Sequence, residues 1–365
     1  MKHYLGVDCG GTKTRFLIGD ENGKITAEYT GGSGYYQQCG LDGLTELIKI
    51  GTDQVCQIAG IDRNDITCAF VGCAGYGDAS ADGPLIEAAI SAGLDGIRCS
   101  IGNDCENALA GALLGRPGIN VIAGTGAICF GKTPDGKTAR AGGWHHHLGG
   151  DEGSAYWLGW NLLNEFERQS DGRDARTLLY TAVKTILEIE NDDEMNSKVV
   201  DEWGLDKAKI AGLAPLCGFL YEQNDLYGKG FVNVAAMELA DLAIAVFRRL
   251  EFPEPVLISS TGGVFNLGEK IITPFKEILE GHGMEYVHPA LSPACGSVIL
   301  AMQMDGLEID QARVAQMDIY SRAAEESDRK KREEKQNQWL KGIQERQHAR
   351  SSLDQSMHQS SAMHA

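Results

Sequence analysis

Two copies of one strand–turn–strand pattern, set about half the folded chain apart, constrain this sequence more than any other feature. In the first copy Tyr4–Asp8 reads as a buried strand and Cys9-Gly10-Gly11-Thr12 as a tight turn. Thr14–Ile18 alternates as a second strand. Asp20-Glu21-Asn22-Gly23 carries the Asn-Gly hairpin signal, and Lys24–Tyr29 follows as a third strand. In the second copy Asn120–Ala123 is a strand, Gly124-Thr125-Gly126 a bend and Ala127–Gly131 a strand. The turn Pro134-Asp135-Gly136 then leads into Lys137–Ala141. This is an internal repeat of an antiparallel meander with glycine at its first bend. Two such matched hairpins can face one ligand.

Between the copies, Gly43–Ala59 has helical apolar spacing, Ile66–Val71 reads as a strand, and Gly83–Gly93 as a short helix. Ile97–Ile101 is a strand and Glu106–Leu114 an Ala/Leu-rich helix. The second half is mostly helical, over Gly153–Arg168, Arg176–Ile189, Asp206–Leu213 and Asn233–Leu250. Val256–Ser260 runs into Thr261-Gly262-Gly263, and helices follow over Glu269–Glu280 and Gly296–Met304. Ser321–Ala365 differs: it holds 9 Lys/Arg, 7 Asp/Glu and few apolar residues. A segment of that composition buries little surface. It is expected to be a tail outside the main fold, with a solvated helix over Arg329–Gln347.

Charge and cysteine content narrow the function classes. The chain has 33 basic and 51 acidic residues, a net charge of −18. An acidic body disfavours nucleic acid and anionic lipid, which need clustered Lys/Arg. The 10 Cys include no C-x-x-C and no Cys/His pair with zinc-finger spacing. Several sit in apolar runs, so they are expected to be buried thiols in a reducing compartment. The chain enters a strand directly after Met1-Lys2-His3, so no signal peptide is expected. No apolar run is expected to reach the roughly 18 residues of a membrane span. These features predict a cytoplasmic protein with no membrane and no nucleic-acid partner.

The candidate chemistry lies at the glycine turns. In Gly10-Gly11-Thr12, Gly124-Thr125-Gly126 and Gly262-Gly263, backbone N–H groups can approach a phosphate without a Cβ clash, and Thr adds a hydroxyl. No G-x-G-x-x-G opens a helix after a strand. Asp8 ends the first strand beside Gly10. A carboxylate there repels phosphate unless Mg²⁺ lies between them; the alternative is a turn Asp bonded to backbone N–H. Asn103-Asp104 ends the strand Ile97–Ile101 and starts a helix. Asp104 can be an N-cap, or a base accepting a hydroxyl proton. Asp151-Glu152 precede a helix, where acids suit the macrodipole.

Together these residues resemble a known family. The segments Val7–Arg15 (VDCGGTKTR), Gly102–Gly111 (GNDCENALAG), Ala123–Gly131 (AGTGAICFG), Gly142–Trp144 (GGW), Gly150–Gly159 (GDEGSAYWLG) and Ser260–Phe265 (STGGVF) occur in that order. They are similar to those of the BadF/BadG/BcrA/BcrD ATPase family, on its N-acetylglucosamine kinase side, within the actin-like superfamily of sugar kinases. The likeness covers roughly residues 3–305 and implies an α/β fold of two actin-like (ribonuclease H-like) domains with ATP in a cleft between them. The domains would be 1–116, completed by about 296–318, and 117–295, with 321–365 as the tail. The resemblance implies Asp104 as the general base and Asp8 as the Mg²⁺ residue. Gly10, Gly11, Thr12, Lys13, Gly124, Thr125, Gly126, Gly262 and Gly263 would contact the nucleotide. Tyr35, Asn103, Thr125, Gly143, Trp144 and Asp151 would lie near the sugar. A homodimer is a further expectation from the family.

The sequence departs from the family pattern at the expected sugar pocket. Tyr35 stands where members usually carry Asn, Ala127 ends GTGA in place of GTGS, and His145-His146-His147 follow Trp144 where GGWG is usual. On an extended segment adjacent side chains alternate faces, so the three histidines are not expected to share one ion. Trp157 and Trp160 follow helical spacing and are expected in the core. The activity expected is an ATP-dependent kinase for an amino sugar such as N-acetylglucosamine or glucosamine. The alternatives are a dehydratase or reductase activator, which would need Cys ligands for a shared iron–sulfur cluster, and a sugar-sensing regulator.

Overall fold

A computed structural model describes residues 1–79, 81–253 and 255–362. The two predicted meanders are both present, and each nucleates a five-stranded sheet of the same topology. In the first, β1 (His3–Cys9), β2 (Thr14–Asp20) and β3 (Ile25–Gly31) are antiparallel. β4 (Ile66–Cys73) and β5 (Cys99–Asn103) add in parallel to β1, giving the order β3-β2-β1-β4-β5. In the second, β6 (Gly118–Ala123), β7 (Ala127–Lys132) and β8 (Thr138–Gly142) form the meander. β9 (Val256–Thr261) and β10 (Met284–Tyr286) add in parallel to β6, in the order β8-β7-β6-β9-β10.

Period-2 alternation decides which face each strand buries. Leu5, Val7 and Cys9 face a core built with the helices Tyr36–Ala59 and Gly83–Leu94. Tyr4 on the other face packs with Leu291, Ala294, Val298 and Met302, most of them on the helix Pro293–Met304. In the second sheet Val121 and Cys129 join the large core formed by the helices Ala155–Ser170, Leu178–Leu187, Leu226–Arg249 and Glu269–Glu280. Ile122, Ile128 and Phe130 face the opposite way, onto Cys105, Leu109 and Leu113. Those three lie on the helix Asp104–Leu113, whose Ala110 packs in the cluster against the first sheet. One short helix is therefore shared by both sheets.

Three expectations change. The helix Leu226–Arg249 is long and apolar enough to cross a membrane, contrary to the sequence estimate. Its Val232, Ala236, Leu239 and Ala243 are fully buried in the second core, so one face of this helix is a packing surface of the fold. It starts before the expected Asn233 because Asp225 caps it, accepting from the N–H groups of Tyr227 and Gly228. The segment expected as a solvated tail belongs to one helix, Gln311–Ala362. Met317 is buried in the cluster around Tyr4 and Val298, while Leu340 and Ile343 pack into the large core of the second sheet. A few apolar side chains suffice to dock a helix whose composition is otherwise polar. Residues 363–365 lie outside the described part. All ten cysteines are free and eight are buried.

Candidate functional site

The parallel strands of the first sheet end level with one another. Asp8 pairs with Gly72, and Cys73 pairs with both Cys9 and Asn103. Carboxyl ends of parallel strands are where open α/β sheets present their ligands. Beyond β1, Gly11, Thr12 and Lys13 form an exposed tip, closed by the Gly10 N–H donating to the Lys13 carbonyl at 3.1 Å. The Gly34 N–H donates to the Gly10 carbonyl at 3.0 Å, and the Ser33 hydroxyl to the Gly11 carbonyl at 2.8 Å. These bonds tie the first glycine turn to the segment that carries Tyr35.

At the end of β5 the N-cap is Asn103 and not Asp104: the Asn103 side-chain oxygen accepts from the Cys105 N–H at 3.0 Å. Its amide nitrogen donates to the Tyr76 carbonyl at 2.7 Å. Because Asn103 does the capping, the Asp104 carboxyl at the first helical position is not spent as the cap. Burial, with the nearby negative charges of Asp8 and Asp78, pushes its pKa up from 3.8 to about 7. Asp8 is also shifted upward, chiefly by burial and against the opposing effect of a hydrogen bond from Asn107. Two part-buried carboxyls within electrostatic reach of each other call for a proton or a cation between them.

The sequence reading missed Asn107. It is fully buried, and its amide donates to Asp8 Oδ1 at 2.8 Å and to the Pro293 carbonyl at 3.2 Å. It joins β1, the shared helix and the helix Pro293–Met304. The available signal was an Asn set directly against the apolar run Ala108–Leu113, where an unpaired amide would be costly.

The second sheet repeats the arrangement. Ile122 pairs with Thr261, so the turn Gly124-Thr125-Gly126 and the pair Gly262-Gly263 leave adjacent parallel strands. A Cβ at Gly262 would lie 2.4 Å from the Ala123 carbonyl oxygen, and φ there is +103°, so only glycine fits. The carbonyls of Gly124 and Thr125 accept from the N–H groups of Ala155 and Tyr156, seating the turn on a helix N-terminus. Asp151 closes the turn from the side. Its Oδ1 accepts from the Ala127 N–H at 2.9 Å, and its Oδ2 pairs with Lys207 Nζ at 2.5 Å. The residue is 5% exposed and sits at φ +69°, a strained position that these bonds hold in place. Lys207, far along the chain, gave no local sequence signal.

The remaining candidates scatter more widely. Tyr35 lies close enough to Asp78 to feel its charge, and its hydroxyl donates to Gln37 Oε1 at 2.8 Å. Asp78 in turn pairs with Arg140 on β8 at 2.6 Å, an ion pair that joins the two halves beside Asp104. Gly143 is held by its N–H to the Ala127 carbonyl, while Trp144 is 72% exposed. Trp160 corrects an expectation. It is 43% exposed and stacks on Tyr156, because the buried face of its helix runs through Leu158, Leu162 and Phe166. The segment after Trp144 is not extended but a 3₁₀ turn, His146–Leu148. The three histidine side chains therefore do not alternate between opposite faces of an extended segment. Burial holds the His146 pKa below the usual range, helped by the charge of Lys207 and the neighbouring imidazoles.

Residues 5–301 match the model of the BadF/BadG/BcrA/BcrD ATPase family. The chain is 30% identical to an N-acetylmuramic acid/N-acetylglucosamine kinase of Clostridium acetobutylicum, over 82% of this chain and 98% of that one. It is 28% identical to an N-acetyl-D-glucosamine kinase of Dictyostelium discoideum, over 82% and 97%. A solved structure from Chromobacterium violaceum, assigned as an N-acetylglucosamine kinase, superposes with a TM-score of 0.67 at 25% identity, covering 82% of this chain and 99% of that one.

Proposed function

The chain belongs to the BadF/BadG/BcrA/BcrD ATPase family, and on that premise we propose that it is an ATP-dependent amino-sugar kinase working in the cytoplasm. It transfers the γ-phosphoryl group of ATP to a hydroxyl of a sugar such as N-acetylglucosamine or glucosamine. The observation that carries this reading is Asp104, a carboxyl with a pKa of about 7 at the end of β5, beside Asp8. A base of that pKa accepts a proton from an attacking hydroxyl near neutral pH. Gly10–Lys13 and Gly124–Gly126 would cradle the phosphates, and Gly262-Gly263 would line the nucleoside. Tyr35, Gly143, Trp144 and Asp151 would frame the sugar, with Asn103 fixing the Asp104 backbone.

Asp8 suits Mg²⁺ because a part-buried carboxylate in reach of a second acid is the hard oxygen donor that this ion takes. When bound there, the ion would neutralise charge on the phosphates. Asn107 would aim the Asp8 oxygen. Asn107→Ala should lower kcat/KM for ATP about 10–100-fold, the usual effect of losing a partner that orients a metal ligand. Steady-state kinetics against Mg²⁺ concentration would measure it. An unchanged Mg²⁺ dependence would remove Asn107 from this role.

The activator reading has less support. It needs Cys ligands near the second glycine turn, and Cys129, the thiol beside that turn, is fully buried in the sheet core. The decisive experiment is ADP release, followed by coupled assay, with N-acetylglucosamine, glucosamine, N-acetylmuramic acid and glucose. At least one amino sugar should raise turnover at least about tenfold over glucose, the discrimination that one well-placed contact provides. If none of the four stimulates turnover, the kinase reading fails.

A further inference from the structure

The run His145-His146-His147 stands outside the phosphoryl-transfer chemistry, yet its three imidazoles converge: one ligand nitrogen from each lies within 4.8 Å of the others. The turn that gathers them is built by the backbone. The Leu148 N–H donates to the His145 carbonyl at 2.8 Å and the Gly149 N–H to the His146 carbonyl at 3.1 Å. Gly149 then leaves the turn at φ +86°. The ring of His146 is braced edge-on against Tyr156 at 4.7 Å, and Tyr156 is stacked on Trp160. His145 Nδ1 accepts a long bond, 3.3 Å, from the His147 N–H, so its lone pair points back into the turn. Ring centroids lie 4.2–4.9 Å apart across all three pairs.

We propose that His145, His146 and His147 form a binding site for a divalent transition-metal ion, with zinc as the natural occupant class and water completing the coordination. Three neutral imidazoles are borderline ligands that select Zn²⁺, Ni²⁺ or Cu²⁺ and leave Mg²⁺ to oxygen donors. Tetrahedral zinc at about 2.0–2.1 Å from each nitrogen needs nitrogens roughly 3.4 Å apart. Small side-chain rotations bring three atoms within 4.8 Å to that spacing. The ion would replace the long bond at His145 Nδ1 and fix the turn between Trp144 and Asp151. Gly150 packs so closely on Trp144 that a Cβ there would lie 2.3 Å from the Trp144 carbonyl oxygen. Fixing the turn therefore fixes the backbone of Trp144. The site is independent of the proposed kinase activity and is tested without it.

The test uses the chelator-treated full chain, titrated calorimetrically with ZnCl₂ alone, and separately with CoCl₂ while visible absorption is recorded. Wild type should take up one equivalent of zinc, raise its thermal midpoint, and give the absorption of four-coordinate cobalt with nitrogen ligands. His146→Ala should weaken uptake by more than the about 10–100-fold that a supporting partner costs. The double variant His145→Gln/His147→Gln, both positions exposed, should abolish it while melting like the metal-free wild type. No uptake by the wild type overturns the proposal. So does uptake that survives the double variant, or a cobalt spectrum dominated by sulfur charge transfer, which would assign the ion to the cysteines.

Discussion

Asp104→Asn is expected to reduce kcat for sugar phosphorylation by about 10²–10⁴-fold, the contribution of a positioned general base, with KM for ATP little changed. The same substitution should make the protein more stable at alkaline pH. The Asp104 carboxyl is raised from 3.8 to about 7, so the folded state binds more protons than the unfolded state between those values. Its destabilising effect is absent below about pH 3.8, grows as pH rises through that window and is complete above pH 7. At 1.36 kcal/mol per pKa unit the ceiling is about 4 kcal/mol, reduced in practice because Asp104 is only part-buried. Thermal melts without nucleotide should show Asp104→Asn melting above wild type at pH 8, with the gap closing toward pH 5. The wild-type kcat/KM for the sugar should fall about tenfold per unit below pH 7 as the base protonates. A variant that keeps its turnover, or one whose melting advantage is the same at both pH values, would remove Asp104 from the role.

The residues that could be read from the sequence share one property: their role is set within a few positions. Asp8 and the turn after it follow from a strand ending at glycine, and the second copy of the meander places Gly124–Gly126 in the same way. Asp104 was visible because β5 and a helix meet there, although the capping partner was Asn103. What was missed depends on pairings between distant segments. Lys207 meets Asp151 across 56 positions, and Asn107 meets Asp8 across 99. The three-residue strand β10 shows no usable alternation over Met284–Tyr286. The histidine run was expected to be extended, and its conformation depends on backbone angles: an extended segment separates neighbouring rings and a 3₁₀ turn gathers them. The docking of Leu340 and Ile343 is a tertiary choice that a polar composition hides.

Gly296→Val tests the packing that holds the site, and its expected outcome is a large loss of stability. A Cβ at Gly296 would lie 1.9 Å from the Asn107 carbonyl oxygen and 2.5 Å from the Gly111 nitrogen, both backbone atoms of the shared helix. Gly111 reciprocates, with a Cβ 2.4 Å from the Ser292 carbonyl oxygen. No rotamer change relieves such contacts, so the two helices must separate. The helix Pro293–Met304 cannot retreat, because Gly6 on β1 sits so close that a Cβ there would be 2.6 Å from the Val298 nitrogen. Overpacking against side chains costs about 1–3 kcal/mol, and backbone obstruction costs more. A loss above about 3 kcal/mol would lower the midpoint by roughly 10 °C for a domain of this size. Separation also moves Asn107 away from Asp8, so kcat/KM should fall in the fraction that stays folded. Gly230→Ala is the contrast: nothing lies within 4 Å of a Cβ there, inside the helix Leu226–Arg249. Removing backbone freedom should then raise stability by about 0.4–1 kcal/mol. Equal melting of Gly296→Val and wild type would mean that the shared helix is not clamped by this contact, and the positioning assigned to Asn107 would lose its structural basis.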